Sequence, residues 1–227
     1  MGQLVCAEVQ ADGELGLVGT YDVDNIDELD EAAPAADLVI DFSNPAALPH
    51  VIAYASRTGA AVTSGTTGLT EEHLKSLREL GVTNRVVWAS NYSLGVAVLR
   101  RVVAQAAKAL GEWDIEIVET HHNQKADAPS GTAKALLEAV DPEGSHLVVS
   151  GREGIVGART KGEIGMHALR GGTVAGTHEV HFFGTDEELT LTHRATSRQI
   201  FVSGAVACAK KLVRADIGFH SFDELMF

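Results

Sequence analysis

The chain is poor in the residues that mark secreted, metal-clustered or nucleic-acid-binding proteins. Cys6 and Cys208 are its two cysteines, both in segments that read as helices. That excludes a disulfide framework and a thiolate metal centre, and a reducing, cytoplasmic setting is expected. Basic residues are scarce as well, with 18 Lys and Arg against 31 Asp and Glu for a formal net charge of −13. A surface of that sign lacks the clustered cations that nucleic acid or an anionic membrane needs, so neither is an expected partner. Any anionic ligand must then be held by a local site. The N-terminus has no basic stretch followed by a long apolar run, and no apolar run reaches membrane-spanning length. The rest of the composition is that of a globular protein: 227 residues, 45% of them hydrophobic, suit one large domain or two modest ones.

The opening, MGQLVCAEVQADG, reads as a helix, with Met1, Leu4, Val5 and Val9 on one face and Asp12-Gly13 as its stop. Strand-like runs follow at Leu17 to Tyr21, Leu38 to Phe42, Ala61 to Thr63 and Val86 to Ala89. Helical stretches from Ala46 to Arg57 and from Glu71 to Leu80 separate the last three, the second with Thr70 as N-cap and Gly81 past its end. Asn25 to Ala33 predicts only a short helical turn. Apolar strands alternating with helices describe a parallel sheet covered on both faces. In the second half, Ser93 to Leu110 predicts a long helix, read as a buried spine. After it come a strand at Ile115 to Thr120, a glycine-rich stretch from Gly151 to Gly172, and a hairpin of His178 to Phe183 and Leu189 to His193. Fewer helices between strands imply an open mixed sheet with one face free for a partner subunit. The last helix, Ile200 to Val213, is expected to return to the first unit.

Three stretches carry chemistry. Ser64-Gly65-Thr66-Thr67-Gly68 and Ala89-Ser90-Asn91-Tyr92 follow predicted parallel strands, at the carboxyl ends where such sheets bind ligands. The third, ETHHNQKADAPSGTA from Glu119 to Ala133, is the most specific. His121, His122 and Lys125 crowd a strand exit, and Ser130-Gly131-Thr132 opens a helix running to Val140. A helix N-terminus favours a carboxylate or phosphate, and imidazoles with an ammonium beside it can move protons or balance charge. A small polyanion that must be protonated suits that set. A metal is not expected, because Lys125 would repel a cation and no Cys or carboxylate set completes the site. Among the remaining histidines, His178, His181 and His193 read as sheet-face residues, and His50, His73, His167 and His220 are given no role. Cys208 reads as core.

These stretches, with THRATSRQIFVSGA at 192–205, resemble in order the 4-hydroxy-tetrahydrodipicolinate reductases, also called dihydrodipicolinate reductases, of the diaminopimelate and lysine pathway. The resemblance implies an α/β enzyme with a Rossmann-type parallel-sheet cofactor domain at 1–92 and 200–227. It also implies an α+β substrate-binding and oligomerisation domain with an open mixed sheet at 93–199, assembled as a homotetramer. A hydride from NADH or NADPH would reduce the dicarboxylate substrate with loss of water. Carried over by motif position, His121 is the proton donor or acceptor and Lys125 the proton donor. His122, Ser130, Gly131 and Thr132 would bind the substrate. Met1, Asp22, Gly65, Thr66, Thr67, Ala89, Ser90, Asn91 and Tyr92 would meet the cofactor.

Two departures from the family pattern bear on the cofactor. Asp22 stands where an acidic residue binds the adenosine ribose, and Val23 and Asp24 follow where some members carry an Arg for the phosphate of NADP. Carboxylates suit ribose hydroxyls and disfavour a phosphate, so NADH is the expected preference. The family also begins with a strand and a Gly-x-x-Gly-x-Met-Gly turn, of which Met1-Gly2 match the last two positions, so the first strand is missing. Either the natural chain is longer, the favoured reading, or this shorter form binds pyrophosphate weakly on a destabilised cofactor domain. The competing readings are a cofactor-impaired pseudoenzyme that binds a dicarboxylate, and another two-domain nicotinamide reductase. Semialdehyde enzymes of the latter kind rely on a catalytic Cys, and neither Cys6 nor Cys208 lies in a loop suited to it.

Overall fold

The computed structural model describes residues 1–227, apart from the side chain of Glu31. In chain order the first elements are α1 (Gly2–Ala11), α2 (Glu28–Glu31), β1 (Leu38–Asp41), a 3-10 turn (Pro45–Ala47), α3 (Leu48–Thr58), β2 (Ala61–Ser64), α4 (Glu71–Leu80), β3 (Arg85–Trp88) and α5 (Leu94–Ala109). They continue with β4 (Asp114–His121), α6 (Gly131–Val140), β5 (Leu147–Val149), β6 (Glu163–Arg170), β7 (Gly176–Phe183), β8 (Glu188–Ala195), α7 (Gln199–Leu212), β9 (Gly218–His220) and α8 (Phe222–Met226). The chain divides into two compact units, Met1–Leu94 with Gln199–Phe227, and Gly95–Arg198. No helix among the described residues is long and apolar enough to cross a membrane.

The first unit is built on a four-stranded parallel sheet of order β1-β2-β3-β9. The residues of β2, AVTS, are all buried, as a central strand covered on both faces requires. On one face Leu48, Val51 and Tyr54 of α3 and Leu77 of α4 pack with Val62 and Val86. On the other, Val5 and Val9 of α1 pack with Val202 and Val206 of α7. Helix ends follow local chemistry. Thr70 and His73 form a capping box at α4, with the imidazole Nδ1 taking the place of the usual Glu or Gln oxygen. Gly59 ends α3 at φ 77°, a backbone conformation open to glycine.

One predicted strand is absent. Leu17 to Tyr21 forms no strand and pairs with none, and Val18 is 52% exposed. β-propensity specifies a strand only where a ladder partner exists, and none lies alongside this run among the described residues. β9 and the short helix α8, after the last predicted helix, complete this unit without having been expected.

The second unit carries a five-stranded mixed sheet of order β5-β6-β4-β7-β8, in which β4 runs parallel to β6 and antiparallel to β7. β5, and β6 within the glycine-rich stretch, are strands that the sequence pattern does not predict. Helices α5 and α6 cover one face through Leu99, Val103 and Leu136, packed on Ile117, Ile164 and Phe182. The helix expected to be a buried spine, α5, is amphipathic in its burial: Val96, Ala97, Leu99 and Val103 are buried, whereas Val98 and Val102 are exposed. Strand alternation places Ile115, Ile117 and Glu119 on the helix-covered face and Glu116, Val118 and Thr120 on the open one. The hairpin of β7 and β8 turns through 184–187, with Asp186 at φ 62°.

Candidate active site

The end of β4 and the start of α6 meet in the second unit, and Glu119 joins them. This carboxylate occupies a core position of the strand and is fully buried. A buried charge persists only when paired and hydrogen-bonded. Arg170, the last residue of β6, approaches it in bidentate fashion, Nη1 donating to Oε2 at 2.9 Å and Nη2 to Oε1 at 2.8 Å. The backbone N–H of Ser130 donates to Oε1 at 3.0 Å, and His121 Nδ1 lies 2.5 Å from Oε2. Burial alone would push this carboxyl up; the Arg170 guanidinium, then His121 and the Ser130 N–H, hold it below its ordinary value.

Ser130 is the N-cap of α6, its Oγ accepting from Ala133 N at 3.2 Å. The same Oγ lies 3.0 Å from Nε2 of His178, which faces Glu119 across the β4–β7 ladder. The His121 and His178 rings meet edge to face with centroids 5.1 Å apart. His178 Nδ1 is buried without a hydrogen-bond partner, and burial, followed by the nearby His121, pushes the ring down to about 4. His178 is therefore a neutral imidazole at neutral pH. Lys125 Nζ donates to Asp127 Oδ1 at 2.8 Å, which holds the Asp127 carboxyl below its ordinary value. An ammonium has three donors, so this contact leaves others for a ligand.

Of the residues singled out for the substrate, His121, His122, Lys125, Ser130, Gly131 and Thr132 fall on one short span, from the last residue of β4 to the first turn of α6. Sequence reading missed Glu119, Arg170 and His178. Glu119 could have been found, because an ionisable residue in register with Ile115 and Ile117 demands a buried partner. His178 follows the same rule in β7, alternating with Val180 and Phe182.

The residues singled out for the cofactor lie in the other unit. Gly65 is packed under Phe42, and a Cβ there would land in the ring. Thr66 is buried and donates from Oγ1 to Asp41 Oδ2 at 2.8 Å, beside Ser64 Oγ at 2.8 Å. Asp41, at the end of β1, thus anchors the loop after β2. Tyr92 is buried, its hydroxyl donating to Ser64 O at 2.8 Å, so its ring belongs to the core. Ala89 N donates to Ser64 O at 3.2 Å, and Asn91 Oδ1 accepts from Ser93 N at 2.8 Å. Met1 caps α1, its carbonyl accepting from Leu4 and Val5. Thr67 and Ser90 are exposed at the carboxyl ends of β2 and β3. Asp22 is exposed too, with one oxygen taken by Asp24 N at 3.0 Å. Exposed hydroxyls and a carboxylate oxygen fit the amide and ribose groups of a nicotinamide dinucleotide.

Comparison with known proteins gives the family of the chain. Residues 1–92 match the family model for the N-terminus of dihydrodipicolinate reductase, and residues 95–226 the model for its C-terminus. The chain is 39% identical to the 4-hydroxy-tetrahydrodipicolinate reductase of Caldanaerobacter subterraneus, over 100% of this chain and 94% of that one. It is 41% identical to the Campylobacter lari enzyme of the same name, over 84% and 80%. A dipicolinate-bound dihydrodipicolinate reductase from Paenisporosarcina sp. TG-14 shares the fold, with a TM-score of 0.75 at 23% identity over 100% of this chain and 95% of that one. The chain belongs to the dihydrodipicolinate reductase family and is an oxidoreductase of that kind.

Proposed function

We propose that the chain reduces 4-hydroxy-tetrahydrodipicolinate to tetrahydrodipicolinate with loss of water, in diaminopimelate and lysine biosynthesis, with NADH preferred over NADPH. The observation that carries the substrate half is the gathering of His121, His122 and Lys125 before the capped N-terminus of α6. A planar dicarboxylate needs donors for its two anionic ends. The first turn of α6 at Gly131 and Thr132, with Ser130 and His122, would hold the carboxylates. His121 would give or take a proton at the ring, and Lys125 would donate one. The cofactor supplies the hydride when bound. Asp22 would accept from ribose hydroxyls, and Thr67, Ser90 and the backbone of 65–66, 89 and 91–92 would meet the nicotinamide end, while Met1 would lie under the phosphates at the start of α1. In this reading 1–92 with 200–227 is the cofactor domain and 93–199 the substrate domain, which also forms a homotetramer through its open sheet face.

Two measurements test the reading. Calorimetric titration with dipicolinate, a planar dicarboxylate, should show binding that weakens about tenfold or more in Lys125→Met, because a charge-assisted hydrogen bond contributes about 1.5–3 kcal/mol. Unchanged affinity would remove Lys125 from the site. The ratio of kcat/KM for NADH to that for NADPH should exceed one, since Asp22 and Asp24 repel the extra phosphate; a clear advantage for NADPH would overturn the preference.

A further inference from the structure

Resting on the proposed role of His121, we infer that Glu119, clasped by Arg170, is a positioning residue that holds the His121 ring proton on Nδ1 and leaves Nε2 as the nitrogen that exchanges protons with the substrate.

The geometry supports each part. Glu119 Oε2 lies 2.5 Å from His121 Nδ1, and an ionised carboxylate can only accept, so the neutral ring must carry its proton on that nitrogen. Nε2 has no protein partner among the described residues and lies beside Gly176, where a Cβ would come within 3.1 Å of it. The His121 side chain keeps 12% exposure, so the ring is not sealed in the core: one nitrogen is held by Glu119 and the other has no protein partner among the described residues. His178 stands edge to face against the ring and fixes its plane.

Arg170 gives the arrangement its electrostatic sense. A lone buried carboxylate beside a dianion site would repel the substrate. The bidentate guanidinium of Arg170, the register partner of His121 in the β4–β6 ladder, cancels that charge, and its Nη2 also donates to Asp127 O at 2.7 Å, tying β6 to the loop that carries Lys125. Glu119 further accepts from Ser130 N, so one carboxylate sets both the proton-transfer nitrogen and the cap of the carboxylate-binding helix.

The test reads the tautomer directly. Long-range 1H–15N spectra of the 15N-labelled chain at mildly alkaline pH should show His121 protonated on Nδ1. In Glu119→Gln the proton should move wholly or partly to Nε2. Dipicolinate affinity should hold or rise in that variant, because Arg170 loses its counter-charge, whereas disruption of the fold would weaken it. Should the unpaired Arg170 unfold the single variant, Glu119→Gln with Arg170→Met removes both charges and should show the same proton shift. A wild-type ring protonated on Nε2, or a tautomer balance in a folded variant unchanged from the wild type, would overturn the inference. Failure of the wild-type chain to bind dipicolinate would instead strike the proposed substrate site and leave the tautomer result standing.

Discussion

A histidine on the core face of a strand must be either charged and paired or neutral and dry, and His178 takes the second course. Its ring is pushed down to about 4 by burial, so the folded chain binds fewer protons than the unfolded one between that value and the ordinary 6.5. The unfolded state binds more protons in that window, and stability therefore rises with pH across it. The stabilisation linked to this ring is fully present above about 6.5 and is lost as the pH falls through that window. Urea unfolding of the second unit between pH 7 and pH 4, roughly the window set by burial of an imidazole, should show this fall. His178→Asn should flatten it, and a slope identical in the variant would place the titrating group elsewhere. Glu119 follows the other course, charged and paired. Their alternation with apolar residues is visible in the sequence, but their partners are not, since Arg170 lies 51 residues from Glu119 and Ser130 lies 48 from His178, and each pair is made by the sheet.

Secondary elements were legible where their ends carry local chemistry. The span of α4 is set by Thr70 and Gly81, and α6 begins at Ser130 because the serine side chain accepts from its first turn. The strands β1 to β4, β7 and β8 were legible as apolar or alternating runs, whereas Leu17 to Tyr21 and β6 show that only a ladder partner decides a weak strand signal. Leu17 to Tyr21 has the composition of a strand without a neighbour to make it one. β6 has the neighbour, although its sequence, EIGMHALR, hides it behind a glycine. That glycine has a reason visible only in the sheet. Gly165 pairs with Glu116 in the β4–β6 register, and a Cβ there would fall inside the Glu116 carboxylate. The carboxylate accepts from Arg152 at 2.9 Å, Arg159 at 3.2 Å and His167 at 2.7 Å. Burial would raise its pKa, but these donors, Arg152 foremost, bring it down to about 2. Gly165→Ala should displace the carboxylate and lower stability by about 1–3 kcal/mol in urea unfolding. A folded carboxyl held at about 2 adds stability that is present above its unfolded value near 4.5 and lost as the pH falls through 2. The variant should lack that acid-side loss, and an unchanged acid limb would mean that the ion cluster survives the added methyl.

At the scale of the molecule, the sheet of the second unit has one face under α5 and α6 and one face bare. The bare face carries Val118 and Thr120 of β4, with Leu169 of β6 at 48% exposure, Phe183 of β7 at 38% and Leu147 of β5 at 65%. The same face also carries Glu116, on which Arg152 and Arg159 sit, and Glu179 opposite Val118; apolar side chains interspersed with charged ones on an uncovered sheet face are what an oligomer interface covers. A face that meets its own copy across a two-fold axis presents every residue twice, so a single substitution acts twice in each interface. Burying a leucine contributes about 1.5–3 kcal/mol, and a buried unpaired carboxylate costs more. Leu169→Glu should therefore shift the proposed tetramer to smaller species in sedimentation velocity at a concentration where the parent chain remains assembled. Its far-UV circular dichroism should stay that of the parent, because Leu169 points away from the core formed by Ile117, Ile164 and Phe182. A variant that sediments as the parent does would move the interface off this face. Loss of secondary structure together with assembly would show that the face is needed for folding.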